Sequence, residues 1–295
     1  MQKIALIGLG AMGGGMARNI LAKKLPLSVY NRSAEVAAPF AKEGARIATS
    51  PADAAKGADV LISMVADNDA SRSIWLGDNG ALAVMKAGTI LIECSTLSPA
   101  WIKELAAAAT ARHCYMLDAP VTGSRSHAAS GDLLFLVGGE KEILERVRPV
   151  LTAMGRHIVH MGAIGSGTVM KLINNFLNGV QAAAFAEAWA LVERLGLETE
   201  KALDVITNGA PGSPLVKMLA SRIAKRDYQT NFFLRLMEKD LAYAMSLSEE
   251  GGIRLRTAQP ALELFRLASQ SGWGDKDFAS VIEPIRALIP SKPAR

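Results

Sequence analysis

Between Lys3 and Gly162 the chain alternates short β-rich runs with helical ones, and beyond Gly165 the strand pattern nearly vanishes. The runs are KIALIG, LSVYN, ADVLISMV, GTILIECS, CYMLDAP, LLFLVGG and RHIVHMG; helical patterns lead to Lys24 and start again at Ser33 and Pro99. Strands alternating with helices at this spacing predict βαβ units and a mostly parallel sheet. Helical patterns then follow one another at 166–195, about 199–208, 213–226, 232–249, 257–271 and 276–288, punctuated by GAPGSP, the Gly251-Gly252 pair and SGWGD. The change of pattern near 162–167 divides the chain into an α/β domain, 1–163, and an all-helical domain, 164–295, with a long helix starting at the junction. A length of 295 residues, half of them hydrophobic, suits two domains with a large core.

Charge narrows the partners. The net charge of +5 comes from 33 basic and 28 acidic residues, without a basic run or interleaved aromatic residues, which argues against nucleic acid. A mild positive field still attracts small anions. Cys94 and Cys114 stand far apart in apolar surroundings, with no metal-ligand spacing to each other or to the four histidines, so two reduced core thiols and no metal are expected. The N-terminal MQKIALIGLGAMGGG is an apolar run broken by glycines, and no window holds about 18 uninterrupted apolar residues. A soluble cytoplasmic protein without a membrane partner is the expectation.

Gly8, Gly10 and Gly13, with Leu9, Ala11 and Met12 between them, make G-x-G-x-x-G after the first strand and before a helix containing Met16, Ala17 and Ile20. Glycines there allow a tight turn and close approach of backbone to a pyrophosphate, while the helix N-terminus offers N–H groups to the anion. At the first βα junction of a βαβ run, this predicts dinucleotide binding. The second strand ends in Tyr30-Asn31-Arg32-Ser33, with no acid before Glu35 to take the ribose hydroxyls of NAD. Arg32 can pair with a 2′-phosphate and Asn31 and Ser33 can hydrogen-bond it, so NADP is expected ahead of NAD.

Two further stretches carry chemistry. DAPVTGSRSHAASGDLLFLVGG, 118–139, puts a Gly/Ser/Ala-rich loop between strands, where backbone N–H groups and hydroxyls can reach an anionic ligand. In GSGTVMKLINNFLN, 165–178, and the residues after it, Val169, Leu172, Ile173, Phe176 and Val180 mark one helical face, and Lys171, Asn174, Asn175 and Asn178 another. The polar stripe continues into Ala182, Phe185 and Trp189, so this helix is buried further on and its lysine is expected partly buried too. Asparagine is a mediocre helix former, and three of them without an acid look placed for hydrogen bonding. In FFLRLMEKDLAYA, 232–244, Asp240 interrupts the apolar stripe Phe233, Leu236, Met237, Leu241 and Ala244, which predicts a semi-buried structural ion pair with Lys239 beside it.

GLGAMG (8–13), DAPVTG (118–123), GSGTVMKLINN (165–175) and KDL (239–241) together resemble the β-hydroxyacid dehydrogenase family over nearly the whole chain. The resemblance implies a Rossmann-type N-terminal domain, a long connecting helix and an all-helical C-terminal domain that contributes to a homodimer or homotetramer. It implies that Lys171 is the general acid/base and that Asn175 helps to place the substrate and hold the lysine. Thr122 and Gly123, with Ser124, match the loop that grips the substrate carboxylate. Thr96 and Lys239 match contacts to the nicotinamide half of NADP or NAD, and Val65 and Ala66 match the segment that passes over the cofactor. The chain departs from the family where Thr122 replaces serine, Ser124 a second glycine and Ala66 a proline; Ser124 narrows the pocket. A short hydroxy acid or aldehyde acid is the implied substrate. Imine reductases share the scaffold but usually lack a lysine at 171, and intact Lys171, Asn175 and Thr122 oppose a non-catalytic dinucleotide module. Asn174 and Asn178 are expected to satisfy backbone groups across the domain junction.

Overall fold

Each β-rich run becomes a strand in the computed structural model, which describes residues 1–288. These are β1 (Ile4–Ile7), β2 (Leu27–Tyr30), β4 (Val60–Ser63), β5 (Ile90–Glu93), β6 (Tyr115–Asp118), β8 (Leu133–Gly138) and β9 (Gly155–Gly162). Two short strands, β3 (Arg46–Ile47) and β7 (Val121–Thr122), complete the sheet. Its order is β3-β2-β1-β4-β5-β6-β8-β7, with β9 beside β8. Strands β3 to β6 are mutually parallel, whereas β8 runs antiparallel to β6 and β7.

From β1 the chain winds outward through β2 and β3, then returns to place β4 on the other side of β1. The carboxyl ends of β1 and β4 therefore form the crevice where a doubly wound sheet binds its ligand. Strands β1, β4 and β5 are buried at every position, as expected of parallel strands covered by helices on both faces. Alternation sends Leu6 into a core with Met16, Ile20 and Ile62, and Ile7 into another with Leu61, Trp75 and Trp101.

The helical pattern from Ser33 is split into Ala34–Ala37 and Pro39–Lys42, because Pro39 has no N–H to continue the ladder. The pattern at 257–271 is α-helical only over Ala258–Ala268, then widens into a π turn at Ser269–Trp273, where Gly272 takes φ 89°. The last pattern divides into a 3₁₀ turn, Phe278–Ile282, and a helix, Glu283–Leu288.

Two compact units result, one ending at Lys171 and the other beginning at Leu172, so the boundary falls inside the 30-residue helix Ser166–Leu195. The second unit is helical and has its own core, with Phe185, Trp189, Leu219, Leu234, Met237, Leu241 and Phe265. No described helix is long and apolar enough to cross a membrane.

Candidate active site

The glycine loop leaves β1 at Gly8, whose N–H donates to the Tyr30 carbonyl at 2.9 Å. Leu9 N–H donates to Asn31 Oδ1 at 2.9 Å, and Asn31 Nδ2 donates to the Ser33 carbonyl at 3.1 Å. The Asn31 carboxamide thus laces the glycine loop to the turn after β2 and shapes that turn from within. Arg32 beside it is exposed, and Ser33 stands at the start of the next helix. A methyl group at Gly13 would lie 1.8 Å from the Gly8 carbonyl oxygen, so only glycine allows this packing of helix on loop. A methyl at Gly10 would meet nothing within 4 Å. That open cradle precedes the helix Gly13–Ala22, which has no side-chain cap at Met12 and no acid in its first turn. The site therefore fits a pyrophosphate, which needs close backbone approach and the positive end of a helix. Ala11 and Met12 complete the loop, and Val65, Ala66 and Thr96 follow the neighbouring strands β4 and β5. All of these cofactor candidates in the first unit stand past the carboxyl ends of β1, β2, β4 and β5.

Strand β6 ends in Asp118, which sequence reasoning did not single out. Its buried carboxylate accepts from Gly165 N–H and Thr168 N–H, each at 2.7 Å, and so caps the helix that carries Lys171. Burial pushes the Asp118 pKa up, against the opposing pull of the two N–H donors. A methyl at Gly167 would lie 2.1 Å from the Leu136 carbonyl oxygen, which is how closely the helix start sits on the sheet. One turn beyond Thr168, Lys171 is 9% exposed. Four residues beyond Asp118, Thr122 is half-buried in β7 and paired with Leu134. Gly123 is exposed, and Ser124 turns towards the exposed His127: its N–H donates to His127 Nδ1 at 3.1 Å and its hydroxyl lies 2.8 Å from the same nitrogen. His127 was invisible to the sequence reading because it lies on a six-residue helix, Arg125–Ser130, that carries no apolar periodicity.

In the second unit Asn175 lies one turn past Lys171 on the same helix and is buried. Its Nδ2 donates to Asp240 Oδ2 at 2.5 Å, and its Oδ1 accepts from Asn174 Nδ2 at 3.1 Å. Asn174 thus bonds a side chain and not the backbone group expected of it. Asp240 Oδ1 lies 2.7 Å from Lys239 Nζ, which also sits 4.6 Å from the centre of the Tyr243 ring. The ion pair read from the sequence is present, and it holds Asn175 as well.

Comparison with known proteins identifies the family and the fold. Residues 3–162 match the family described as the NAD binding domain of 6-phosphogluconate dehydrogenase, and residues 165–285 the NAD-binding family of NADP-dependent 3-hydroxyisobutyrate dehydrogenase. The chain is 38% identical to the NAD-dependent L-serine dehydrogenase of Pseudomonas aeruginosa, over 95% of this chain and 97% of that protein. It is 36% identical to the 3-hydroxyisobutyrate dehydrogenase of the same organism, over 95% and 97% of the two chains. A solved structure of Mycobacterium tuberculosis 3-hydroxyisobutyrate dehydrogenase with L-serine matches with a TM-score of 0.88 at 32% identity, covering 97% of this chain and 99% of that one.

Proposed function

The chain belongs to the β-hydroxyacid dehydrogenase family, and from that premise we propose that it interconverts a short β-hydroxy or related ω-hydroxy carboxylic acid and its semialdehyde, with Lys171 moving the proton at the reacting oxygen. It is an oxidoreductase that uses a nicotinamide dinucleotide. The observation that carries the reading is a buried lysine on a helix capped at its start by Asp118, with Asn175 four residues further along.

When bound, the nicotinamide supplies or takes up the hydride at the carbinol carbon. The chain supplies the rest. In reduction the Lys171 ammonium donates a proton to the carbonyl oxygen as it becomes a hydroxyl, and in oxidation the neutral amine takes that proton back. Asn175, with its carboxamide held by Asp240 and Asn174, hydrogen-bonds the substrate and steadies the lysine. The Thr122 hydroxyl and the Gly123 backbone grip the carboxylate. Ser124, where the family more often has glycine, would narrow the pocket by its added side chain. Gly8 to Gly13 would hold the pyrophosphate, Val65, Ala66 and Thr96 would border the nicotinamide half, and the family resemblance alone gives Lys239 a contact there.

An exposed Arg32 and a nearby Ser33 support a preference for NADP, although the Pseudomonas L-serine dehydrogenase is NAD-dependent. With NADP, reduction of an aldehyde acid is the working direction. Self-association through the helical unit goes with this reading, since Leu191, Leu195 and Val205 are exposed at 61%, 69% and 69%.

Absorbance at 340 nm with NADPH and with NADH tests the reading, against tartronate, methylmalonate and succinate semialdehydes, glyoxylate and a cyclic imine. In the reverse direction 3-hydroxyisobutyrate and L-serine serve with the oxidised cofactors. Turnover of at least one aldehyde acid or hydroxy acid of this panel, with none of the imine, is expected. Turnover of the imine alone would replace this function with imine reduction.

A further inference from the structure

We propose that Glu93 and Ser95 form a buried clamp that positions the two loops bordering the nicotinamide half of the cofactor. The inference rests on the reading above, in which Val65, Ala66 and Thr96 border that half.

Glu93 ends β5, fully buried, in register with Ser63 of β4 and Asp118 of β6. A carboxylate at the end of an otherwise apolar strand is costly unless its oxygens are satisfied. Here neutral donors satisfy them. Glu93 Oε2 accepts from Ser71 Oγ at 2.7 Å and from Trp75 Nε1 at 2.8 Å, and Ser71 Oγ in turn accepts from Trp101 Nε1 at 2.9 Å. These bonds tie the strand end to the helices Asn68–Leu76 and Pro99–Ala111. The other oxygen, Oε1, accepts from Ser95 N–H at 2.9 Å.

Ser95 passes the constraint across the crevice edge. Its hydroxyl, also fully buried, accepts from Val65 N–H at 2.8 Å. Further out, Ser98 N–H donates to Asn68 Oδ1 at 3.0 Å and Asn68 Nδ2 donates to Ser98 Oγ at 2.8 Å. The segments after β4 and β5 are therefore laced at two levels, and Thr96 sits between the two lacings. An apolar residue at 93 would fill the core at lower cost; what it could not do is set where Ser95, and through it Val65, stands at the mouth of the sheet.

The clamp acts through the loops and touches no reacting atom, so its signature is dinucleotide affinity. Ser95→Ala removes only the acceptor of Val65 N–H. Glu93→Gln keeps shape and volume; with its amide oxygen on the Ser71 and Trp75 side, the amide nitrogen faces Ser95 N–H, donor against donor. Dissociation constants for NADPH and NADH are measured by nicotinamide fluorescence without substrate, beside thermal melting and the KM for each substrate. Each variant is expected to raise the dinucleotide Kd by about 5- to 30-fold, the range of one lost buried hydrogen bond. The double variant is expected to exceed the larger single effect by no more than about twofold, because both changes break one chain of bonds. Substrate KM stays unchanged at saturating cofactor. A lower melting temperature with unchanged Kd in both variants would overturn the clamp, as would full additivity. If one variant does not fold, the other decides by the same Kd criterion. A wild-type chain that binds neither dinucleotide would overturn the functional reading itself, whereas binding without turnover of any hydroxy acid would leave the clamp standing and only the substrate reading lost.

Discussion

Asn175 donates to Asp240 at 2.5 Å, and the two side chains are 2% and 1% exposed. The same carboxylate faces Lys239 at 2.7 Å, so one acid is shared between a buried amide and a mostly buried cation. Asp240→Ala would leave both without it, and the cost of breaking a buried pair is about 3–5 kcal/mol. Denaturant unfolding of the variant is expected to show a loss of that order, with a smaller loss for Asp240→Asn. An unchanged midpoint for Asp240→Ala would mean that the pair is not held in solution.

Asp118 caps the helix start ahead of Lys171, and capping bonds are worth roughly 1–2 kcal/mol. Asp118→Ala should lose at least that much stability and lower kcat, since the lysine follows the cap by one turn. The pH dependence has a definite sign. Burial raises the Asp118 pKa, so the folded chain holds this proton more tightly than the unfolded one. Ionisation therefore costs stability as pH rises from the ordinary carboxylate pKa, about 3.9, towards the raised value. The stability of wild type relative to Asp118→Asn should improve on acidification through that window, which urea midpoints across mildly acidic pH would detect.

How much of this was legible in the sequence depended on how local each signal is. The strands IALI, VLIS and ILIE and the glycine loop could be read because apolar runs and turn residues are contiguous. The two-residue strands β3 and β7 are too short to show alternation, and Pro39 divides a helix whose pattern looks continuous. Asp240 could be read as a paired acid because it interrupts an apolar stripe, yet its partner Asn175 is 65 residues away and could not be named. Asp118 and Glu93 escaped notice for a related reason: a single acid at a strand end resembles the start of a turn, and their partners are distant N–H groups, indoles and hydroxyls. Nor does the sequence show that the Asn31 amide, expected at the ribose phosphate, also bonds Leu9 and Ser33.

Both thiols are buried, and burial pushes their pKa values up, that of Cys94 well above the ordinary range. Thiolate is the reactive form, so a disulfide reagent near pH 8 should label neither cysteine in the folded chain and both after denaturation. In the unfolded chain the thiols ionise first, near pH 8.5, so their contribution to stability should fall as pH rises through that value. Rapid labelling of native Cys94 would contradict its placement.

Arg32 is an exposed cation in the turn after β2, where the adenosine ribose is expected. Arg32→Ala should lower the preference for NADPH over NADH, measured as a ratio of kcat/KM, by at least about tenfold, the value of one charge-assisted contact. An unchanged ratio would remove Arg32 from cofactor selection.

The most direct measurement is single-turnover hydride transfer by Lys171→Ala and Lys171→Arg, at saturating cofactor and with the best substrate from the panel. Loss of a positioned acid–base group predicts a transfer rate lower by about 10²- to 10⁴-fold in both variants, with the dinucleotide Kd unchanged. Transfer at a near-normal rate in either variant would contradict the assignment of Lys171 as the group that moves the proton.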